Sequence, residues 1–255
     1  MKSLVILITG GASGIGFGIA EHLGQAGHHI VIADINLQAA QEAVQTLQQH
    51  KVTATAIALD VADAVQIAAL PQHLGELQID VLINNAGIQH VSKLEDFPAE
   101  KWQQLINIML VGPALLTQAF LPGMKQRNFG RIINVGSIHS LVASPFKSAY
   151  VAAKHGLLGF TKVMALETGE HNITINTLCP SYVKTPLVEQ QIAAQAKENN
   201  LSEEEVINKI MLEPMPKKAF ISIEELAQSA EFLLSNGAKN ITGQTLVLDG
   251  GWVAR

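Results

Sequence analysis

Leu4-Val5-Ile6-Leu7-Ile8 runs straight into Thr9-Gly10-Gly11-Ala12-Ser13-Gly14-Ile15-Gly16, and from Ile15 to Gln25 apolar residues recur at helical spacing (Ile15, Ile19, Leu23). A short unbroken apolar run bounded by glycine is the pattern of a strand buried on both faces, as in parallel sheets covered by helices. A glycine turn between such a strand and a helix leaves bare backbone N–H groups at the positive helix end, with no side chain in the way. That is a cradle for phosphate. The spacing is G-x-x-x-G-x-G and not the commoner G-x-G-x-x-G.

The alternation then repeats. A second strand, His29 to Ala33, ends on Asp34, eighteen residues past Gly16. A carboxylate there can accept hydrogen bonds from adenosine ribose hydroxyls and would repel a 2′-phosphate, and no lysine or arginine is close in sequence, so NAD is expected over NADP. The alternative for Asp34 is a cap on the helix that starts at Leu37. Helices over Leu37 to Gln49 and near Val65 to Leu74 lead to strands Ala54 to Leu59 and Ile79 to Ile83. These strands run into Asp60-Val61 and Asn84-Asn85-Ala86-Gly87. Three such units predict an α/β fold, a single-domain doubly wound parallel sheet of Rossmann type, with its site at the carboxyl edge.

Pro98 to Gly123 is mostly helical with Pro113 inside it, Arg131 to Gly136 is a strand, and a helix continues to about Thr168. Ile173 to Leu178 is another strand. Lys184 to Phe220 changes character: Gln, Asn, Glu and Lys are dense, and Pro214 and Pro216 close it. This predicts a two-helix insertion, a candidate substrate lid over about 184–220. A helix (Glu224 to Leu234) and a strand (Thr245 to Leu248) finish one domain over 1–255.

A net charge of −5 and three arginines (Arg127, Arg131, Arg255) without a basic stripe argue against nucleic-acid binding. The single cysteine, Cys179, excludes an internal disulfide, agrees with a cytoplasmic location and is expected to be a small buried residue. The apolar run after Met1 is too short for a signal peptide, and no stretch approaches the roughly 20 apolar residues of a membrane span. Nine histidines show no metal-ligand spacing, so no metal is expected.

Ser137 follows the Arg131 to Gly136 strand, at its carboxyl edge. Tyr150 and Lys154 follow at i, i+4, one turn apart on one helix face. A free tyrosine, with a pKa near 10, is a poor acid or base at neutral pH, and an ammonium beside it favours the phenolate. Tuned in this way, a tyrosine can move a proton to or from an alcohol.

Together Thr9-Gly10-x3-Gly14-x-Gly16, Asn84-Asn85-Ala86-Gly87, Ser137 with Tyr150-x3-Lys154, and Pro180 with Thr185 resemble the short-chain dehydrogenase/reductase family over the whole chain. The resemblance implies Tyr150 as general acid/base, Ser137 holding the substrate oxygen, and Lys154 on the nicotinamide ribose. It implies phosphates over Gly10, Ser13, Gly14, Ile15 and Gly16, and adenine near Asp60 and Val61. Asn85, Ala86, Gly87 and Pro180 would lie along the cofactor, with Val183 and Thr185 at the nicotinamide amide. Gln89-His90-Val91, Ser137-x-His139, Lys147-Ser148-Ala149-Tyr150 and Thr185 to Gln191 are similar to the bacterial D-3-hydroxybutyrate dehydrogenases. In that group Gln89, His139, Lys147 and Gln191 would bind the substrate carboxylate, and all four can donate hydrogen bonds to an anion. The resemblance also suggests a homotetramer built partly on the helices around Trp102 and Tyr150. A dehydrogenase for another small hydroxy acid or a polyol, and a cofactor-binding sensor without activity, are the alternatives.

Two positions depart from the family pattern. Ser181 follows Pro180 where glycine is common. Met109 stands seven residues after Trp102, where a fourth catalytic residue, asparagine, is usual. Asn107 is not its replacement, because two positions along a helix point to roughly opposite sides.

Overall fold

The computed structural model describes residues 3–254; Met1, Lys2 and Arg255 lie outside them. The strands are β1 (Val5–Thr9), β2 (His29–Asp34), β3 (Ala54–Ala58), β4 (Val81–Asn84), β5 (Gly130–Val135), β6 (Ile173–Pro180) and β7 (Thr245–Leu248). They form one seven-stranded sheet in the order β3-β2-β1-β4-β5-β6-β7, with every pairing parallel. This is the doubly wound, Rossmann-type sheet expected from the sequence. Successive strand residues face opposite sides, so β1 must be apolar throughout. Ile6 and Ile8 join one buried cluster with Ile19, Leu23 and Leu47, whereas Leu7 joins another with Leu70, Leu116 and Ile132.

The helices are α1 (Gly14–Gln25), α2 (Leu37–Gln49), α3 (Ala64–His73), α4 (Ala99–Ile106), α5 (Gly112–Arg127), α6 (Ser148–Glu167), α7 (Pro186–Asn199), α8 (Glu203–Val206) and α9 (Ile223–Leu234). α2 is capped by Asn36, whose side chain accepts from the Ala39 N–H. Asp34 is therefore not the cap, and its carboxylate is left for other work.

Helices α4 and α5 are one continuous helix joined by a π-turn, Asn107–Val111, in which the Gly112 N–H reaches back to the Asn107 carbonyl. Pro113 explains the widened turn: it has no N–H to offer the carbonyl four residues back, so the regular ladder breaks there. The expectation of no membrane-length apolar stretch needs correcting here. By length and composition Ala99–Arg127 is long and apolar enough to cross a membrane, with a mean hydropathy of 1.6 in its best window and 39% of that window buried. The sequence reading looked for an unbroken apolar run, whereas this helix spreads glutamine and asparagine among its apolar residues. It packs against α3 and α6.

A buried polar chain fixes α6 against the sheet. The Asn84 side-chain amide donates to Asn134 Oδ1 (2.8 Å), Asn134 Nδ2 donates to Thr161 Oγ1 (2.8 Å), and Thr161 bonds Thr177 (2.9 Å). These bonds tie β4, β5, α6 and β6 in one register, because an unpaired polar group at this depth would cost more than the bond gains. The register of α6 sets where Tyr150 and Lys154 stand.

Candidate active site

A cavity of about 480 Å3 lies at the carboxyl edge of the sheet, across the point where strand order reverses between β1 and β4. Every residue expected at the site from the sequence lines it, with the exception of Gly16. Gly16 lies beneath the turn, where a Cβ would collide with the Gly10 carbonyl and the Asn85 side-chain amide. Its lack of a Cβ allows the close approach of α1 to the turn. Gly10 has φ +60, and a Cβ on it would come within 2.9 Å of the Ala86 Cα. Only glycine meets both demands. Asn85 locks the opposite wall: its amide nitrogen donates to the Thr9 and Gly10 carbonyls (2.9 and 3.0 Å), and Thr9 Oγ1 accepts from the Asn85 and Ala86 N–H groups. The result is a rigid, side-chain-free trough that fits a dinucleotide.

Asp34 closes the far end. One carboxylate oxygen accepts from Ala12 N–H in the glycine turn (3.3 Å) and the other from Asn36 N–H (3.1 Å). Asp60 is similarly oriented by Ala62 N–H (2.8 Å). Among the described residues, the cations that line the cavity are Lys147 and Lys154, both toward the other end.

At that end Ser137 begins a 3-10 turn, Ile138–Ser140. Its Oγ accepts from His139 N–H (3.1 Å), which leaves the hydroxyl proton to point elsewhere. Burial raises the pKa of Tyr150, and a hydrogen bond with the Ser137 side chain opposes the rise. The sequence reading had Lys154 lowering this tyrosine. Instead the ammonium donates to the Val135 carbonyl (2.6 Å) and sits 5.7 Å from the centre of the phenol ring, so burial dominates. Lys154 itself is lowered to about 8 by burial, partly offset by Cys179. A serine donor, a tyrosine and a lysine that keeps protons near neutral pH can hold an alcohol oxygen and exchange its proton. Cys179 is fully buried, and burial raises its pKa, as befits a packing residue.

Beyond Tyr150 the cavity holds Lys147, 9% exposed, with burial lowering its pKa. Its Nζ lies 3.4 Å from His139 Nε2, and no carboxylate pairs with it among the described residues. Gln89 Oε1 accepts from the neighbouring His90 N–H (3.0 Å), which leaves the amide NH2 free to donate. Gln191, on α7, lines the same wall. α7 and α8 fall in the polar insertion, and Val188 and Gln191 bring α7 over the cavity.

Two contributors, Tyr182 and Trp252, escaped the sequence reading, whereas Met109 was marked there as a departure. Tyr182 lines the cavity and stacks on Trp252 (6.1 Å, 26°), and Trp252 meets the His139 ring edge-on (6.2 Å). Tyr182 stood in a segment already singled out, Pro180 to Thr185, but an aromatic there reads equally well as core. Trp252 comes from the chain end, which nothing in the sequence ties to the site. Met109 is buried with Leu105, Ala149 and Ala153 and flanks Gly87. It fills the asparagine position with apolar volume.

A family model described as short chain dehydrogenase matches residues 4–196. The chain is 43% identical over 258 residues to a D-beta-hydroxybutyrate dehydrogenase of Rhizobium meliloti, covering 98% of each chain. It is 42% identical over 251 residues to the enzyme of that name from Cupriavidus necator, covering 98% of this chain and 97% of the relative. It is also 42% identical to an uncharacterized oxidoreductase of Bacillus subtilis over the full length of both.

Proposed function

The chain belongs to the short-chain dehydrogenase/reductase family, and from that premise we propose that it is an NAD-dependent oxidoreductase interconverting D-3-hydroxybutyrate and acetoacetate. The observation that carries the choice of substrate is Lys147: a buried ammonium with no carboxylate partner among the described residues, in the same cavity as Ser137 and Tyr150. A buried unpaired cation is costly unless an anion joins it. The His139 and Tyr150 rings are 6.2 Å apart, centre to centre, so the proposed anion clamp adjoins the tyrosine and suits a short hydroxy acid. The similarity to two D-beta-hydroxybutyrate dehydrogenases supports the same reading.

In this reading the bound nicotinamide cofactor supplies the hydride acceptor. Ser137 donates to the substrate oxygen, and Tyr150 takes the alcohol proton on oxidation and returns it on reduction. Lys147 and the Gln89 and Gln191 amides hold the carboxylate, fixing which face of the carbinol carbon is presented. Tyr182 walls the pocket with Trp252 stacked on it, which strengthens the Lys147 charge by excluding water. The exposed apolar Val163 and Leu166 of α6 are consistent with a homotetramer.

Asp34 is expected to make NAD preferred over NADP by about tenfold or more in kcat/KM, roughly 1.4 kcal/mol, since a 2′-phosphate would meet its carboxylate with no lining cation at that end among the described residues. Asp34→Ala should narrow the gap. Equal kcat/KM for the two cofactors in the wild type would contradict this. The substrate assignment is tested by following NAD reduction with a panel of 3-hydroxy acids, sugar acids and neutral secondary alcohols.

A further inference from the structure

Phe146 adopts φ +66, the left-handed region that bulky residues rarely enter, and it is 53% exposed, so burial of the ring does little to offset the strain. Strain of this kind persists only where the surroundings over-determine it. Here the chain is fixed on both sides. Upstream lies the 3-10 turn that begins at Ser137. Downstream, the Phe146 carbonyl accepts from the Ser92 N–H (2.9 Å), and Lys147 starts α6 with its side chain buried in the cavity. A return of φ to the ordinary helical value would rotate one side of Phe146 against the other by roughly 130°. The Ser137 turn and the pair formed by the Phe146 carbonyl and Lys147 could not then both keep their places.

Ser92 belongs to the stretch 87–97 between β4 and α4, which also carries Gln89. Among the described residues, the other hydrogen bonds of this stretch stay within it: His90 N–H to Gln89 Oε1, Ser92 Oγ to the Lys93 carbonyl, Asp96 N–H to Lys93 and Phe97 N–H to Leu94. The first turn of α6 has no side-chain cap of its own, and Trp102 Nε1 donates to Ser148 Oγ there (3.3 Å). We propose that Phe146 is a positioning residue: its left-handed turn presents its carbonyl to Ser92 and so locks the Gln89 loop to the start of α6, holding Gln89 and Lys147 in one frame around the substrate anion. The backbone does this and the ring takes no part. The inference rests on the reading of the cavity as a hydroxy-acid site, and adds what keeps two of its anion contacts in register.

Residue type at position 146 then has a definite order of effect. Glycine enters the left-handed region at no steric cost, so Phe146→Gly keeps the turn and removes the strain. A β-branched side chain is worst placed there, so Phe146→Val drives the turn out of its native shape. Ser92→Pro leaves Phe146 untouched and deletes the N–H that its carbonyl meets.

Two measurements on the full-length protein test this. In steady-state kinetics with D-3-hydroxybutyrate, Phe146→Gly should keep KM within about twofold of wild type and melt at or above the wild-type temperature. Phe146→Val and Ser92→Pro should each raise that KM at least about fivefold, while KM for NAD and kcat/KM for butan-2-ol stay within about twofold. Combined, the two should raise KM little more than either alone, because both break one bond. A glycine variant as impaired as the valine one would show that the ring does the work, and a wild-type KM in the valine variant would show that the turn positions nothing. Either result overturns the proposal, as does an equal loss toward butan-2-ol. The second measurement is amide hydrogen exchange at Ser92, which needs no turnover and, in the wild type, no variant to fold. Ser92 should be protected in the wild type and in Phe146→Gly, and released in Phe146→Val. Free exchange at Ser92 in the wild type overturns the lock whatever the protein oxidises. A protein with Ser92 protected that oxidises no hydroxy acid defeats the proposed function, and with it the role of the lock in anion binding.

Discussion

Tyr150→Phe is expected to lower kcat for hydroxy-acid oxidation by about a hundred- to ten-thousand-fold, the range for removing a positioned acid/base group. The ring packs with Leu105, Met109, Ala149 and Ala153, and phenylalanine keeps that packing, so the melting temperature should move little. NAD affinity should also hold, because the trough is built from Gly10, Asn85 and Asp34 on other elements. Loss of kcat with NAD binding and stability intact is the signature of a chemical role. A variant within about fivefold of wild-type kcat would remove Tyr150 from the proton path. Burial also raises the tyrosine's pKa, so the phenolate needed for oxidation becomes more available as pH rises.

Lys147→Met should change function and stability in opposite directions. The methionine fills similar volume without charge. Loss of a buried charged partner costs the bound anion about 2–5 kcal/mol, so kcat/KM for D-3-hydroxybutyrate should fall by about thirtyfold or more, with butan-2-ol affected far less. Stability should rise. Burial lowers the Lys147 pKa in the folded state, so the unfolded chain binds this proton more tightly and folding works against it at neutral pH. A gain of about 1 kcal/mol would raise Tm by about 2–4 °C in a domain of this size. If the variant is destabilised and keeps its KM for the acid, Lys147 is a structural residue and the anion clamp lies elsewhere.

The sheet was legible because its strands obey one rule: a parallel strand covered on both faces is apolar at every position, as in Ile6-Leu7-Ile8, where alternate side chains enter opposite cores. The cofactor trough was legible for a related reason, since backbone approach demands glycine at Gly10 whatever the rest of the chain does. Gly16 shows the limit of that reasoning. A glycine run announces close approach without saying to what, and this one approaches the turn itself. The aromatic wall could not be read because Trp252 reaches His139 from more than a hundred residues away, through packing that no local pattern records. The roles of His139 and Lys147 were half legible. Residue type marks both as polar groups suited to an anion, but only the structure brings His139 Nε2 and Lys147 Nζ within 3.4 Å of each other. The Tyr150 pKa likewise turned on depth of burial, which the i, i+4 spacing to Lys154 does not contain. The π-turn at Asn107–Val111 follows from Pro113, a local cause, yet its consequence is the placement of a long helix against α6.

The most direct measurement is the initial rate of NAD reduction by the full-length protein with D-3-hydroxybutyrate, set against butan-2-ol and a sugar acid, with the product identified. The account predicts NADH and acetoacetate in equal amounts, and a kcat/KM for the hydroxy acid at least about tenfold above that for butan-2-ol, the lower end of the value of a charge-assisted contact. NADH formed from the sugar acid or from butan-2-ol as readily as from D-3-hydroxybutyrate would contradict it, as would no NADH from any 3-hydroxy acid.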